Sequence, residues 1–290
     1  MSIDPDSVTV SISPEAAERI AAHAAAMDAE AMEAAAAGGR PLPADADRVW
    51  GEVAPAVRAA FAAADFAILR GLPALEGGRM LIAAAALLGR RFHTYGGGKV
   101  VKIFAMSPWR NDLAHTAADG FFHTDLNASP QPPALTGIQC IVPDPGAPQY
   151  GVNRVVRTAD LLAALEESGQ TNALHFLCEE TVGLANDRST KVWHGRIVSD
   201  GITRYHPETV RAACRRDGVD APEEILETIQ AEALRVSRPF QLGTGDMLLL
   251  SNHRTLHYRG ECSIAFQRFP MDFVARRIYV LHVSDEHQTH

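Results

Sequence analysis

Apolar and polar positions repeat with two different periods along the chain, and the changes of period divide it into helical and strand-like stretches. The Ala-rich run SPEAAERIAAHAAAMDAEAMEAAAA starts at Ser13. It opens with a capping serine, a proline at the first helical position and an early acid, and Gly38-Gly39 closes it. Ile20, Met27 and Met32 give this run only a thin apolar stripe, so it reads as a peripheral helix. A second helix is expected over about 45–63 and a third around 76–90. Between them DFAILRGLP (65–73) reads as a short strand ended by Gly71 and Pro73. KVVKIFAM (99–106) and ALTGIQCIV (134–142) are β-branched and aliphatic strand candidates. Helical patterns return between 159 and 235, in ADLLAALEESG and PEEILETIQAEALRV. Strand periodicity resumes in DMLLLS (246–251), SIAFQRF (263–269) and RRIYVLHV (276–283).

Strands bracketing a helical stretch predict a mainly β core with flanking helices. With no internal repeat and no long linker, the expectation is a single domain over 1–290, with an N-terminal helical segment (1–64) and a helical insertion or lid region (159–240). The chain has 290 residues, is 47% hydrophobic and 21% charged, and can bury a sizeable core. A net charge of -8 provides no electrostatic footprint for nucleic acid or anionic lipid. Cys140, Cys178, Cys214 and Cys262 are scattered and form no CxxC pair, which points to reduced thiols in a cytoplasmic protein. The N-terminus lacks the pattern of a secretory signal, and MLIAAAALLG (80–89) is too short to span a bilayer. A soluble protein acting on a small molecule is expected. Nothing in the sequence bears on its oligomeric state.

The candidate chemistry begins in FFHTDL, residues 121–126. On extended backbone Phe121, His123 and Asp125 share one face, and Phe122, Thr124 and Leu126 share the other. An imidazole and a carboxylate side by side are either a hydrogen-bonded surface pair or two-thirds of a metal site. A second such spacing, His206-Pro207-Glu208, reads as a decoy at a loop or helix start. In GTGDMLLLSNHRTLHYRGECSIAFQRF (243–269) a strand runs into the polar turn SNHR, and His257 follows. Alternation in SIAFQRF then sets Arg268 beside Ile264 and Phe266. A guanidinium on an apolar face needs an anion, supplied either by a protein carboxylate or by a ligand.

Taken in order, His123-x-Asp125, the distal His257 in N-x-R-T-x-H and Arg268 beyond it resemble the taurine dioxygenase-like (TauD/TfdA) family of Fe(II)- and 2-oxoglutarate-dependent oxygenases, with clavaminate synthase-type enzymes as close relatives. FAILRGLP, LGRRF, HTDLNASPQPPALTGIQC and GDMLLLSNHRTLHYRG extend the resemblance over most of the chain from about residue 60. It implies a double-stranded β-helix (jelly roll) with iron at its open end, held by His123, Asp125 and His257. It further implies 2-oxoglutarate as cosubstrate with its far carboxylate on Arg268, and O2 as oxidant. Where relatives often carry a threonine helping at that carboxylate, this chain reads Tyr150-Gly151-Val152-Asn153, which makes Asn153 a candidate donor. The implied reaction hydroxylates an unactivated C–H of a small polar metabolite with release of succinate and CO2. Desaturation or cyclisation would use the same ligands, and a noncatalytic binding protein of the same fold is the alternative.

Two stretches are candidate lids: 107–120, and 186–206, which includes the substrate-contact candidates Trp193, Arg196 and Arg204. Arg276-Arg277 form either an anion contact or an ordinary charged strand end. The remaining histidines, His282 among them, have no expected role.

Overall fold

The computed structural model describes residues 2–38, 46–110, 112, 115–186 and 191–285. The N-terminal part comprises β1 (Thr9–Ser11), α1 (Pro14–Ala26), α2 (Ala29–Ala37), α3 (Ala46–Trp50), α4 (Val53–Ala64), β2 (Phe66–Arg70) and α5 (Arg79–Ala85). β3 (Val101–Ala105), β4 (Leu135–Val142) and β5 (Asn153–Arg157) follow. The middle holds α6 (Thr158–Glu167), α7 (Thr171–Cys178), β6 (Val182–Ala185), β7 (Val192–Gly195), β8 (Val198–Ser199), β9 (Ile202–Thr203), α8 (Pro207–Asp217) and α9 (Glu223–Val236). The chain ends with β10 (Met247–Ser251), β11 (Thr255–Arg259), β12 (Ile264–Arg268), β13 (Asp272–Ala275) and β14 (Arg277–Val283).

The Ala-rich run forms two helices instead of one. Asp28 sits on extended backbone and caps α2, its carboxylate accepting from the Ala31 amide at 2.8 Å. The helix expected over about 45–63 is likewise divided into α3 and α4. Gly39 of the expected helix stop and residue 45 lie outside the described residues.

Six strands form one sheet in the order β1-β2-β10-β4-β14-β3, antiparallel except for β1 beside β2. Strand alternation gives this sheet two different faces. Leu69, Leu135, Met247, Leu249, Tyr279 and Leu281 pack in one cluster with residues of α1, α2, α4 and α5. Ile68, Ile138, Leu248, Leu250, Ile278 and Val280 point the other way and pack with Val155 of β5. β5 pairs with β11 as a separate two-stranded layer. Val156 and Leu256, their opposite-facing residues, join Leu161, Phe176 and Ile229 of α6, α7 and α9. The functional cavity opens between the two strand layers. A tight turn starts β10: Gly245 has φ +88°, and a Cβ there would lie 1.8 Å from the Leu72 carbonyl oxygen, so only glycine fits.

β12 and β13 form a two-stranded hairpin of their own. Four of the five β12 residues are exposed. The expectation that Arg268 is buried is therefore corrected: alternation is present, but burial is not. Arg268 is exposed, in register with Asp272.

Candidate active site

FFHTDL makes a single β-bridge at His123 and turns at Asp125-Leu126, and four neighbours clamp it. Gln230 of α9 accepts from the Phe122 amide (2.8 Å) and donates to the Phe122 carbonyl (3.1 Å). The His123 and His257 backbones exchange two hydrogen bonds of 3.0 Å. The Thr124 amide donates to the Tyr205 carbonyl at 2.8 Å. Asn252, in the SNHR turn, accepts from the Asp125 amide (2.7 Å) and donates to the Asp125 and Pro133 carbonyls (3.0 Å each). Alternation holds through Asp125, with Phe122 and Thr124 buried, and ends at Leu126, whose φ is +51°.

These clamps bring His123, Asp125 and His257 together, each offering a ligand atom within 4.8 Å of the others. His123 Nε2 lies 3.7 Å from Asp125 Oδ1, and His257 Nε2 lies 3.5 Å from Oδ2. The Nδ1 of His123 is 2.6 Å from the Phe121 carbonyl, which accepts its proton and leaves the Nε2 lone pair aimed at the cluster. Burial, then the neighbouring His123, pushes His257 down to about 3, so its imidazole is neutral at physiological pH. Burial opposes ionisation of Asp125, but the adjacent imidazoles, His257 first and then His282, outweigh it and hold the carboxyl well below its usual range. Two imidazoles and one carboxylate form a donor set that fits a divalent iron ion.

A cavity of about 660 Å³ extends from this cluster. One wall is the sheet face bearing Ile138, Leu248, Ile278 and Val280. In it lies Arg276, 3% exposed, whose guanidinium donates to Asn153 Oδ1 at 2.8 Å. Among the described residues Arg276 has no carboxylate at ion-pair distance, and burial lowers its pKa from the usual guanidinium value. Arg276, one of two alternatives at the strand head, therefore replaces Arg268 as the cavity's buried cation. Asn153 lines the cavity as expected, but in a changed role. Its amide donates to the Gly151 carbonyl at 3.3 Å while its oxygen orients Arg276.

Phe121, Leu126, Ala128, Val192 and Trp193 line the other side of the cavity. Of the three candidate substrate contacts only Trp193 is among the lining residues. Arg196 is exposed away from it. Arg204 is buried and donates to the carbonyls of Asn127 (3.1 Å), Ser129 (2.5 Å) and Pro130 (3.0 Å), bracing the loop after Asp125. Its guanidinium lies 4.6 Å from the Trp193 ring centre. His206 is no bystander. Its ring centre is 4.8 Å from that of His123, it lines the cavity, and its Nδ1 caps α8 by accepting from the Glu208 amide. In the two lid candidates, residues 111, 113, 114 and 187–190 lie outside the described residues, and the described remainder of the second holds β7, β8 and β9. Among the described residues no helix is long and apolar enough to cross a membrane.

The family model described as "Taurine catabolism dioxygenase TauD, TfdA family" matches residues 30–265. Among solved structures, asparagine oxygenase in complex with Fe(II), 2S,3S-3-hydroxyasparagine and succinate superposes with a TM-score of 0.68 at 17% identity, over 96% of this chain and 93% of that one. The non-heme iron oxygenase OrfP is similar too. A mutant in complex with (3S)-hydroxy-L-Arg gives 0.66 at 18% identity (96% and 94% covered), and the complex with Fe and alpha-ketoglutaric acid gives 0.64 at 18% (95% and 93%). No curated protein sequence matches the chain. At these identities the likeness to solved structures establishes the fold, whereas the family match spans most of the sequence: the chain belongs to the TauD/TfdA family of dioxygenases.

Proposed function

We propose that the protein is an Fe(II)- and 2-oxoglutarate-dependent hydroxylase of an amino acid or related small acid, its two strand layers forming the double-stranded β-helix of the family. His123, Asp125 and His257 would hold iron and leave room on it for cosubstrate and oxygen. The observation that carries this reading is Arg276, a buried cation without a carboxylate partner among the described residues, in the same cavity as that cluster. Burying an unpaired charge costs several kcal/mol by order of magnitude. A dicarboxylate that brings one end to Arg276 and its keto acid end to the metal satisfies both groups. Guanidinium suits this task because it can make two parallel charged hydrogen bonds to one carboxylate.

When bound, iron with 2-oxoglutarate and O2 supplies the oxidising power that converts an unactivated C–H into C–OH. The chain's own groups do the rest. Asn153 fixes the direction of Arg276, and the aliphatic wall of Ile138, Leu248, Ile278 and Val280 excludes water from the cosubstrate. Asn127, Lys191, Glu208 and Thr209 line the opposite side and offer polar and charged contacts to a small metabolite. Asparagine oxygenase and OrfP are held with hydroxylated asparagine and arginine, which supports an amino acid as the substrate class.

Anaerobic titration tests the cofactor assignment. A weak visible charge-transfer band should grow only when Fe(II) and 2-oxoglutarate are both present, and its absence in folded protein would overturn the reading. A panel of amino acids and related acids, scored by substrate-dependent succinate release, tests the substrate class. Stimulation by none of them rejects it.

A further inference from the structure

The carboxylate of Asp125 is approached from behind by an imidazole that metal binding does not use. His282, on β14, is 5% exposed and stands across from Thr136 of β4 in the strand register. Both residues reach the same oxygen. His282 Nε2 lies 3.0 Å from Asp125 Oδ2, and Thr136 Oγ1 donates to Oδ2 at 3.0 Å. His282 Nε2 is buried and makes no aligned hydrogen bond among the described residues, so the Asp125 carboxylate at 3.0 Å is a close contact of that nitrogen. On the far side of the ring, Nδ1 contacts the Tyr95 hydroxyl. Burial, then the charge of Asp125, raises the pKa of that phenol, so it stays protonated and acts as donor. An Nδ1 that accepts from Tyr95 places the imidazole proton on Nε2, facing the carboxylate. Tyr95 is itself confined, with His93 edge-on at 5.0 Å between ring centres and the Lys102 ammonium 3.8 Å from its ring centre.

We propose that His282 is a positioning residue for the carboxylate of Asp125: oriented by Tyr95, it stands against Oδ2 together with Thr136 and fixes the direction in which Asp125 would meet a metal. This rests on His123, Asp125 and His257 being the ligands. Outer contacts of this kind orient a ligand, and their loss weakens metal affinity by roughly 10–100-fold.

Calorimetric titration of the full chain with Ni(II), a divalent stand-in that imidazoles bind more tightly than Fe(II), tests the proposal. His282→Ala should weaken binding by about 10–100-fold. His282→Gln, whose amide can still reach Oδ2, should recover most of the loss, while the metal-free melting temperatures of His282→Gln and wild type stay close. In an Asp125→Ala background His282→Ala should cost no further affinity, because the group it acts through is gone. An unchanged Ni(II) affinity in His282→Ala overturns the proposal. So does a loss of the same factor with Asp125 absent, or a failure of glutamine to rescue, since either makes His282 a packing residue. Wild-type protein that binds no metal sinks the ligand assignment and this proposal together, whereas equal binding by wild type and His282→Ala sinks only the latter.

Discussion

Arg276 and Arg268 separate two meanings of an arginine near the end of a β-rich chain. The first is buried and donates to the Asn153 amide oxygen with no carboxylate at ion-pair distance among the described residues, and the second is solvated opposite Asp272. Arg276→Ala should therefore raise the 2-oxoglutarate Kd by at least about 30-fold, from a loss on the order of 2–5 kcal/mol for one partner of a buried charge pair. Its metal-only affinity should stay near wild type, as calorimetry would show. Arg268→Ala should leave both constants unchanged. A reversed pattern would restore the role first expected of Arg268. Asn153→Ala should give a smaller loss of cosubstrate affinity, about 1–3 kcal/mol, because it frees the guanidinium without removing it. The His123 and Asp125 pair was legible because polar side chains interrupt an apolar run. Arg276 was not, because an Arg-Arg step at a strand head looks the same whether one or neither of its side chains turns inward. His206 was discounted for a similar reason: its helix-capping role is local and visible, while its approach to His123 depends on how α8 packs.

Elements, more than single side chains, bring His123, Asp125 and His257 together. Strands built from aliphatic runs, such as β4, β10 and β14, stood out in the sequence because both of their faces are buried. β5 and β11 are short and carry arginines at or near their ends, so their periodicity was too weak to signal the second strand layer. The hairpin of β12 and β13 had the right alternation and the wrong environment. Asn252 joins these elements at the site, gripping the backbone of Asp125 and of Pro133 from the turn after β10. Asn252→Ala leaves buried backbone groups without partners. It should lower unfolding free energy by about 1–3 kcal/mol, measured by urea denaturation, and weaken metal binding alongside. A stable variant with normal metal affinity would show that the turn does not position Asp125.

At the scale of the whole molecule, the hydrophobic clusters on either side of the six-stranded sheet and among α6, α7 and α9 contain none of His123, Asp125 and His257, the side chains proposed to hold the metal. Chelation should consequently leave far-ultraviolet circular dichroism unchanged. Metal and 2-oxoglutarate at a hundredfold excess over Kd should add about 2.7 kcal/mol each through mass action, read as a rise in melting temperature. A chain that unfolds on chelation would mean the core depends on the ion. The same burial protects two thiols: it pushes the Cys140 thiol up to about 11 and raises Cys262 as well. Alkylation of native protein at pH 8, followed by mass spectrometry, should mark the half-buried Cys178 and Cys214 well before Cys140 and Cys262.

Asn252 holds Asp125 and Pro133 with one amide group, and so ties together the two ends of the loop that borders the substrate side of the cavity. A segment stapled at its base can change its tip without disturbing its root. The exposed side chains of Leu126, Pro130 and Gln131 can therefore change while Arg204 keeps hold of the backbone at Asn127, Ser129 and Pro130. New substrates can be acquired here by rewriting a few loop positions, with the oxidative machinery inherited intact.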